Sequence, residues 1–471
     1  MNSKASVGVF ALVMLMTGAV DAVSNLPSVA IFGQQLVFFF VVASILFLLP
    51  TGLVSAELCT QFKDNSGIYY WTKNAFGSGA GTIAIWLQWI NTMVWFPTCL
   101  TTFTGTFAYL IDPKLSHHPV YLVCTSLFAF WIMTILNLRG IKKSTKIASL
   151  ATTIGMVIPM ILIIALTLLW LVLGKPLALT LNHTAIVPPL SHTTTWTSLT
   201  AIITAFLGME LATVHVKKVH NAHKVFPKAL LYSILLIVIT MGLGSLGVAL
   251  VIPHQDIVLV TGTVQAFNVI FTGFHLAWLE KVLGVMLLFG SLGTMVNWLI
   301  SPAHGLAQAS EDGYLPKSLA TENKHGSPHK ILLVQGVVVS FVSLAFFLMP
   351  SINGSYWLLL DLSTQLYVLM YVLMFIVAFK HFIQAKKTNV IPKGKFGALA
   401  ITLFGLLGCF VALVVGFFPP DGINVGGASH FHLLFTGGLL LMISPVTLLW
   451  LYKLKTVKQW KFWAAINKPV I

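Results

Sequence analysis

The stretch Thr17-Gly-Ala-Val-Asp21-Ala-Val-Ser24-Asn25-Leu-Pro27 places a Gly, a Pro and polar side chains inside an otherwise apolar segment. A second such stretch, Ala205-Phe-Leu-Gly208-Met-Glu210-Leu-Ala-Thr213, lies five apolar segments further along. A helix broken at mid-bilayer survives only where protein or a water-filled cavity covers the freed backbone groups. The two stretches therefore predict an all-α integral membrane protein with two broken helices, and the breaks locate its functional site.

The composition agrees with a membrane class. Of the 471 residues, 57% are hydrophobic and 8% are charged, against roughly 25% charged residues in soluble domains. A helical span needs about 20 mostly apolar residues. Twelve transmembrane helices are predicted, near residues 7–32, 36–60, 79–111, 119–137, 148–174, 196–216, 228–252, 280–309, 330–349, 354–381, 396–418 and 432–453.

The distribution of basic residues predicts the orientation. The net charge is +15, and the cations, all Lys except Arg139, lie in the short breaks between apolar segments. With the N-terminus inside, the outer loops hold only Lys114, Lys175 and Lys281. Such an asymmetry is topogenic, so we expect a multi-pass protein of the cytoplasmic (inner) membrane with both termini inside. The same distribution gives no basic groove for nucleic acid.

The positions of the two breaks predict how the chain is divided. Five spans separate them, so the second five spans are inverted relative to the first five. We expect a first repeat over residues 1–174, a second over 175–381, accessory spans over 382–453 and a short basic cytoplasmic tail over 454–471. Paired broken helices indicate a transporter's midplane binding site. The alternative is that each Gly only permits close helix packing.

Acidic residues within the spans are functional candidates because an ionised carboxylate at the bilayer centre costs at least ~2.5 kcal/mol. Asp21 at the first break is a candidate for a substrate ammonium, a coupling cation or a proton. Glu210 at the second is a candidate proton carrier or an anchor for a moving helix. Asp361 lies early in span ten, either within the membrane or near its outer surface. Glu57 at the end of span two is interpreted as a capping or loop-anchoring carboxylate.

Uncharged polar residues in spans three and eight suit a zwitterion pocket. They are Gln88 and Asn91, followed by Thr294, Asn297 and Trp298. Interhelical hydrogen bonds of ~0.6 kcal/mol each are the alternative interpretation.

No motif for catalysis, a metal or a cofactor is recognised. Gly242-Leu-Gly244-Ser-Leu-Gly247 spells GxGxxG but lies within an apolar span without a preceding strand. The four cysteines have no CxxC or Cys/His spacing. We therefore expect no enzyme activity, no metal and no cofactor.

Several short motifs, taken in order, resemble the amino acid, polyamine and organocation transporter superfamily, and within it the bacterial glutamate:GABA antiporters. They are Asn25-Leu-Pro27, Leu49-Pro-Thr-Gly-Leu-Val-Ser-Ala-Glu57, Gly67-Ile-Tyr-Tyr-Trp71, Leu207-Gly-Met-Glu210, Trp298-Leu-Ile-Ser-Pro302, Asp312-Gly-Tyr-Leu-Pro316 and Phe418-Pro-Pro-Asp421. The resemblance implies a LeuT-like 5+5 inverted repeat with two extra helices. It also implies that Glu210, Trp298 and Tyr367 match the family's span-six acid, span-eight tryptophan and span-ten tyrosine.

The chain also departs from the antiporter pattern. It has Ser24-Asn25-Leu26 where that family has a tyrosine-glutamate-tyrosine run, Thr294 in place of a span-eight acid, and Asp21 without a counterpart. These differences are compatible with other amino acids as substrates but argue against glutamate and GABA. The tail after Tyr452 is too short for the folded C-terminal plug that the family uses for pH gating.

The sequence thus predicts a secondary transporter, an antiporter, of amino acids or related amines that works by alternating access. Protons are a second candidate partner, and the lipid bilayer is the solvent. A receptor or scaffold that binds ligand without transporting it is the alternative. The predicted substrate-binding residues are Asp21, Ala22, Val23, Ser24, Asn25, Phe206, Leu207, Gly208, Glu210, Thr294, Asn297, Trp298 and Tyr367.

Overall fold

A computed structural model describes residues 8–62, 67–139, 153–179, 186–188, 196–211, 213, 219, 222–385 and 387–466. Within these ranges the side chains at positions 11, 15, 19, 222, 223, 296, 297, 300, 301 and 454–466 lie outside the description. All regular elements among the described residues are helical, with no strand.

The described residues contain sixteen α-helices, numbered in chain order. They are α1 Val9–Val20, α2 Leu26–Ala30, α3 Leu36–Ala43, α4 Leu49–Gln61, α5 Ile68–Phe76, α6 Ser78–Ile111, α7 Pro119–Leu138, α8 Ile158–Val172, α9 Ser198–Ala205, α10 Ala222–Val251, α11 Gly262–Gly273, α12 Leu279–Glu311, α13 His329–Ser343, α14 Ile352–Gln384, α15 Gly394–Val415 and α16 Ala428–Ile466.

Ten helical segments among the described residues are long and apolar enough to cross a membrane. They coincide with ten of the twelve predicted spans. At the position of predicted span six lies a shorter apolar helix, Ser198–Leu211, and at that of span eight lies α12, which is 33 residues long. The ten segments make the chain a multi-pass membrane protein.

The first predicted interruption is present. Helix α1 ends at Val20. The N–H of the next residue, Asp21, donates to the carbonyl of Thr17 at 2.7 Å, and the chain is extended at Asp21 and Ala22. A single 3-10 turn, Val23–Asn25, leads into α2. Pro27 stands in the first turn of α2, where its missing N–H costs no helical hydrogen bond.

The second predicted interruption is present at the end of α9. The helix stops at Ala205, the chain turns over Phe206, Leu207 and Gly208, and a 3-10 segment holds Glu210. The φ angle of Gly208 is +103°, a backbone conformation that residues with a Cβ rarely adopt. Gly208 therefore permits this turn.

The part of the chain that the structure describes contains two π-helical turns that the sequence did not predict, Ser44–Leu48 before α4 and Thr153–Val157 before α8. π-Turns are frequent at functional sites. The second one brings the backbone of Gly155 against that of Gly290 on α12 and against the carbonyl of Met286. The predicted spans five and eight therefore touch backbone to backbone at this glycine pair.

Helix α11 covers the first break. Its first residue, Gly262, lies against the ring of Pro27, and the hydroxyl of Thr263 donates to the carbonyl of Val23 at 2.9 Å. The segment before α11 is held by Asn353, whose Oδ1 accepts from the N–H of Leu259 and whose Nδ2 donates to the carbonyl of Ile257, both at 2.9 Å. This helix was not predicted.

At the opposite end of the bundle, Glu57 anchors a loop as predicted. Its carboxylate accepts hydrogen bonds from the backbone N–H groups of Asn389, Val390 and Ile391 at 2.7–2.9 Å and from Gln61 Nε2. The Glu57 side chain is fully buried. The four donors satisfy a carboxylate in an apolar setting, so Glu57 joins α4 to the loop between α14 and α15.

A second anchor at that end involves Asp312, the residue after α12. Its Oδ2 forms an ion pair with Lys73 Nζ at 2.5 Å and accepts a hydrogen bond from the Tyr69 hydroxyl. These two hydrogen bonds, led by that of Lys73, hold the pKa of Asp312 below its usual range. Lys453 Nζ donates to the neighbouring carbonyl of Gly313. The loop after α12 is thus tied to α5 and α16.

Candidate functional site

A buried cavity of about 40 Å³ lies between the two helix breaks. Helices α6, α12 and α14 complete its wall. It is lined by Val20, Asp21, Ala22, Asn25, Asn91, Trp95, Thr204, Leu207, Thr294, Trp298 and Ser363. A water needs about 10–15 Å³ of such volume, so the cavity holds a few waters and must widen to accept a larger solute.

Asp21 is the acidic residue of this lining. Its side chain is 4% exposed, and its Oδ2 accepts a hydrogen bond of 2.7 Å from the hydroxyl of Thr240 on α10. Its Oδ1 is buried without a hydrogen-bond partner. Buried acceptors normally have a donor. Asp21 therefore offers one free acceptor atom at the cavity.

Glu210 is the centre of a hydrogen-bond network beside the cavity. Its carboxylate accepts from the Tyr367 hydroxyl at 2.5 Å, from the Tyr371 hydroxyl, and from Gln88 Nε2 at 3.0 Å. Tyr371 in turn accepts from the N–H of Gly208 at 3.1 Å. Three side-chain donors thus point toward Glu210, and the network joins the second break to α6 and α14.

The remaining walls combine polar and aromatic groups. Asn91 Nδ2 donates to the carbonyl of Ser363 at 2.6 Å and to its hydroxyl at 2.8 Å. The rings of Trp95 and Trp298 lie 5.4 Å apart between centroids, and Trp298 lies 6.4 Å from the ring of Tyr367. Aromatic contacts at these separations stabilise by roughly 0.5–1.5 kcal/mol and shape the cavity.

A second cavity of about 40 Å³ adjoins the first on the side of α11 and shares three residues with it, Ala22, Trp95 and Thr294. Its lining includes five residues that carry hydroxyl groups, which are Ser24, Thr102, Thr106, Thr263 and Ser291. The two cavities thus lie one after the other along α6, from the breaks toward Ile111.

The structure brings most of the predicted residues together at these two cavities. Those that line one or both are Asp21, Ala22, Val23, Ser24, Asn25, Leu207, Thr294 and Trp298. Glu210, Gly208 and Tyr367 belong to the adjacent network, and Phe206 is buried against Phe40. The side chain of Asn297 lies outside the described residues. Gln88, expected as a pocket group, is a partner of Glu210 instead.

Thr240, Thr204 and Tyr371 are among the residues at the site that sequence reasoning missed. Nothing in the sequence near Thr240 marks it as the partner of Asp21. Tyr371 was open to prediction, because it lies four residues after Tyr367 and therefore on the same helix face. Among the described residues no group of three or more His, Cys, Asp and Glu side chains is placed to hold a metal ion.

The bundle, its two broken helices and the buried polar cavity define a polytopic membrane protein with a small central polar site. The chain belongs to the amino acid permease family, whose model matches residues 7–442. The resemblance found in the sequence is thereby confirmed.

Relatives along nearly the full length are transporters by name. An "uncharacterized transporter" of Legionella pneumophila is 38% identical, over 97% of this chain and 98% of its own. The glutamate/gamma-aminobutyrate antiporter of Lactococcus lactis subsp. lactis is 30% identical, over 90% of this chain and 86% of its own. A probable agmatine/putrescine antiporter of Lactococcus lactis is 23% identical, over 82% and 81%.

Proposed function

We propose that this protein is a secondary transporter that exchanges amino acids or related amines across the cytoplasmic membrane by alternating access. The observation that carries the proposal is the buried polar cavity between two helix breaks, in a chain of the amino acid permease family. Relatives named as antiporters of glutamate/gamma-aminobutyrate and of agmatine/putrescine support exchange and an amino acid or amine as substrate.

The proposed architecture has twelve transmembrane helices in a LeuT-like 5+5 inverted repeat with two accessory helices and both termini inside. The repeats are residues 1–174 and 175–381, followed by accessory spans over 382–453 and a basic tail over 454–471. Two helices broken five spans apart support this arrangement. The helical extension of α16 to Ile466 places the first part of the proposed tail in the same helix as the last span.

The proposed binding mode uses both breaks. The substrate carboxylate meets backbone N–H groups at Ala22–Asn25 and at Phe206–Gly208. The N–H groups of Phe206, Leu207 and Gly208 donate to Ile203, Thr204 and Tyr371 in this structure, so substrate binding at the second break replaces these hydrogen bonds. The substrate ammonium pairs with the free Oδ1 of Asp21. Thr294 and Trp298 close the pocket from α12, with Asn297 on the same helix. The small volume of the cavity requires these walls to separate when substrate enters.

The two sides of the cavity suggest how access alternates. On one side α11 covers the first break through the bond between Thr263 and Val23. On the other side Glu210 binds Gln88, Tyr367 and Tyr371. We propose that the α11 contact opens to the outside and that the Glu210 network opens to the inside. Each contact joins a broken helix to a neighbouring element, so rocking of the broken helices breaks one contact at a time.

The test is counterflow in proteoliposomes with a panel of labelled amino acids and amines, including glutamate, GABA, agmatine, putrescine and neutral amino acids. The panel is run with and without a pH gradient. We expect exchange of at least one amino acid or amine, with glutamate and GABA poorer than a neutral or cationic substrate. Absence of exchange with every member of the panel would overturn the proposal. Binding without counterflow would instead identify a receptor on the same fold.

A further inference from the structure

Asp361 is a buried acid that the proposed transport site does not use. It lies on α14 with 0% of its side chain exposed, facing α15 rather than the cavity. Its Oδ1 accepts a hydrogen bond of 3.2 Å from Gln365 Nε2, one helical turn later. Its Oδ2 is buried without a hydrogen-bond partner.

Gln365 also has a buried oxygen without a hydrogen-bond donor. Its Nε2 carries two hydrogens; one is donated to Asp361 and the other to the carbonyl of Ala412 at 3.0 Å. Its Oε1 is buried and lacks a partner. Two side chains already in contact thus present two buried acceptor oxygens and no remaining donor. One proton on Oδ2 of Asp361 creates the missing donor, and the amide oxygen of Gln365 is the acceptor that lacks one.

The backbone of α15 closes this pair of side chains. A Cβ built on Gly416 would lie 2.7 Å from Oδ1 of Asp361 and would overlap Nε2 of Gln365. Gly416 therefore allows α15 to pack directly onto the pair. The close approach leaves no side chain of α15 at this point to act as a donor.

No basic side chain is placed to neutralise an ionised Asp361 from the described elements that pack against α14. Helices α6 and α9 contain no acidic or basic residue. Lys395 of α15 donates to the carbonyl of Ile383 near the far end of α14, and Lys73 of α5 pairs with Asp312. Glu57 of α4 binds the loop after α14. On α16, the half-buried His430 and the exposed His432 bond to the carbonyls of Leu348 and Phe417. Lys453 of the same helix bonds to the carbonyl of Gly313. Near the end of α14 itself, Lys380 donates to the carbonyl of Ala75 and His381 bonds to Gln61. The other titratable groups among the described side chains of these elements are thiols and phenols, among them the buried Cys409 of α15.

We infer that Asp361 and Gln365 form a proton-binding site between α14 and α15, separate from the central cavity, in which Asp361 carries the proton. An ionised carboxylate in an apolar interior needs a cation or several donors, and this one has a single amide donor. Glu210 offers the contrast, because three donors point at its carboxylate. The ligand is a single proton, and the inference does not depend on which solute the central cavity takes.

Infrared spectroscopy of the purified protein in lipid at neutral pH tests the inference, because a protonated carboxyl has a C=O stretch distinct from that of a carboxylate. We expect a protonated-carboxyl band in the wild type that is lost in Asp361→Asn and retained in Asp21→Asn and Glu210→Gln, whatever bands the other buried acids contribute. In Gln365→Leu the same band should shift, because the carboxyl O–H loses its acceptor. An unchanged band pattern in both Asp361→Asn and Gln365→Leu would overturn the inference.

Thermal unfolding supplies a second measurement. Asparagine at position 361 keeps a hydrogen-bond donor for Gln365 Oε1, so Asp361→Asn should retain the melting temperature of the wild type. Asp361→Leu removes the donor and should melt at a lower temperature. If the melting temperature of Asp361→Asn is as low as that of Asp361→Leu, a neutral donor at this position does not substitute for the native carboxyl. That result would rule out a protonated Asp361.

Discussion

The hydroxyl of Tyr367 lies 2.5 Å from Oε1 of Glu210 and donates a hydrogen bond to it. This bond connects α14 with the segment that follows the second helix break. It is reinforced by Tyr371 one turn later, which bonds to Oε2 of the same carboxylate. The two tyrosines therefore hold Glu210 from one helix face.

Removal of the Tyr371 hydroxyl should weaken this network. Hydrogen bonds to charged groups contribute about 1.5–3 kcal/mol, so Tyr371→Phe should lower the free energy of unfolding by about that amount and release the N–H of Gly208. Thermal unfolding in detergent measures the change. Tyr232→Phe, on an exposed face of α10, is the matched control. Equal melting temperatures for the two variants would contradict a stabilising role for Tyr371.

Asp21→Asn should reduce exchange at low substrate concentration by roughly tenfold or more, since loss of a charged hydrogen bond costs about 1.5–3 kcal/mol. Thr240→Val keeps the carboxylate but removes its donor, and should give a smaller reduction. Counterflow rates in proteoliposomes measure both effects, with the exposed Asp256→Asn as control. Full activity of Asp21→Asn across pH would remove Asp21 from the binding site.

The Lys73–Asp312 ion pair predicts a dependence of stability on pH. Because the pKa of Asp312 is lowered in the folded protein, its contribution is present at neutral pH and is lost as the pH falls through the lowered pKa. Asp312→Asn should destabilise the protein by about 0.2–1 kcal/mol at neutral pH, as expected for a partly exposed pair. The two proteins should converge in strong acid.

Melting curves of wild type, Asp312→Asn and Lys73→Met at neutral and strongly acidic pH measure this difference. The exposed Asp421→Asn serves as the control without an ion pair. A gap between wild type and Asp312→Asn that widened on acidification would have the wrong sign for a lowered pKa.

The contact between Gly155 and Gly290 should be sensitive to a single methyl group. Gly155→Ala would place its Cβ against backbone atoms of Gly290 and Met286, and overpacking of this kind costs about 1–3 kcal/mol. Gly242→Ala is the matched control, because a Cβ there meets nothing within 4 Å. A melting temperature of Gly155→Ala equal to that of Gly242→Ala would show that α8 and α12 separate without cost.

Sequence reasoning found the helix breaks because their signal is local. A Gly or Pro next to a polar side chain inside an apolar segment, as near Asp21 and Glu210, indicates a helix break. Such a break is tolerated in a membrane only where it is buried in protein or lines a cavity. Glu57 was interpreted correctly as a loop anchor for a similar reason, because it ends an apolar segment. The family resemblance rested on short motifs in a fixed order, and such an order survives substitution at most other positions.

The partners of these residues were not predictable because they lie far away in the sequence. Thr240 reaches Asp21 only through packing of α10 against α1, and Gln88 reaches Glu210 from α6. The depth of Asp361 depends on Gly416, which lets α15 approach it. The π-turn at Ser44–Leu48 has no Gly or Pro to signal it. Each of these features depends on how distant helices pack together, which the local sequence does not determine.

The side chain of Asn353 has a consequence for how the protein is produced. Asn353-Gly-Ser355 spells the acceptor sequence for N-linked sugars, and the sugar would be attached at Nδ2, the atom that now bonds to the carbonyl of Ile257. Glycosylation before folding would therefore detach the segment that leads into α11. Expression in a eukaryotic host thus calls for a Ser355→Ala variant, whereas a host without this modification yields the native chain unaltered.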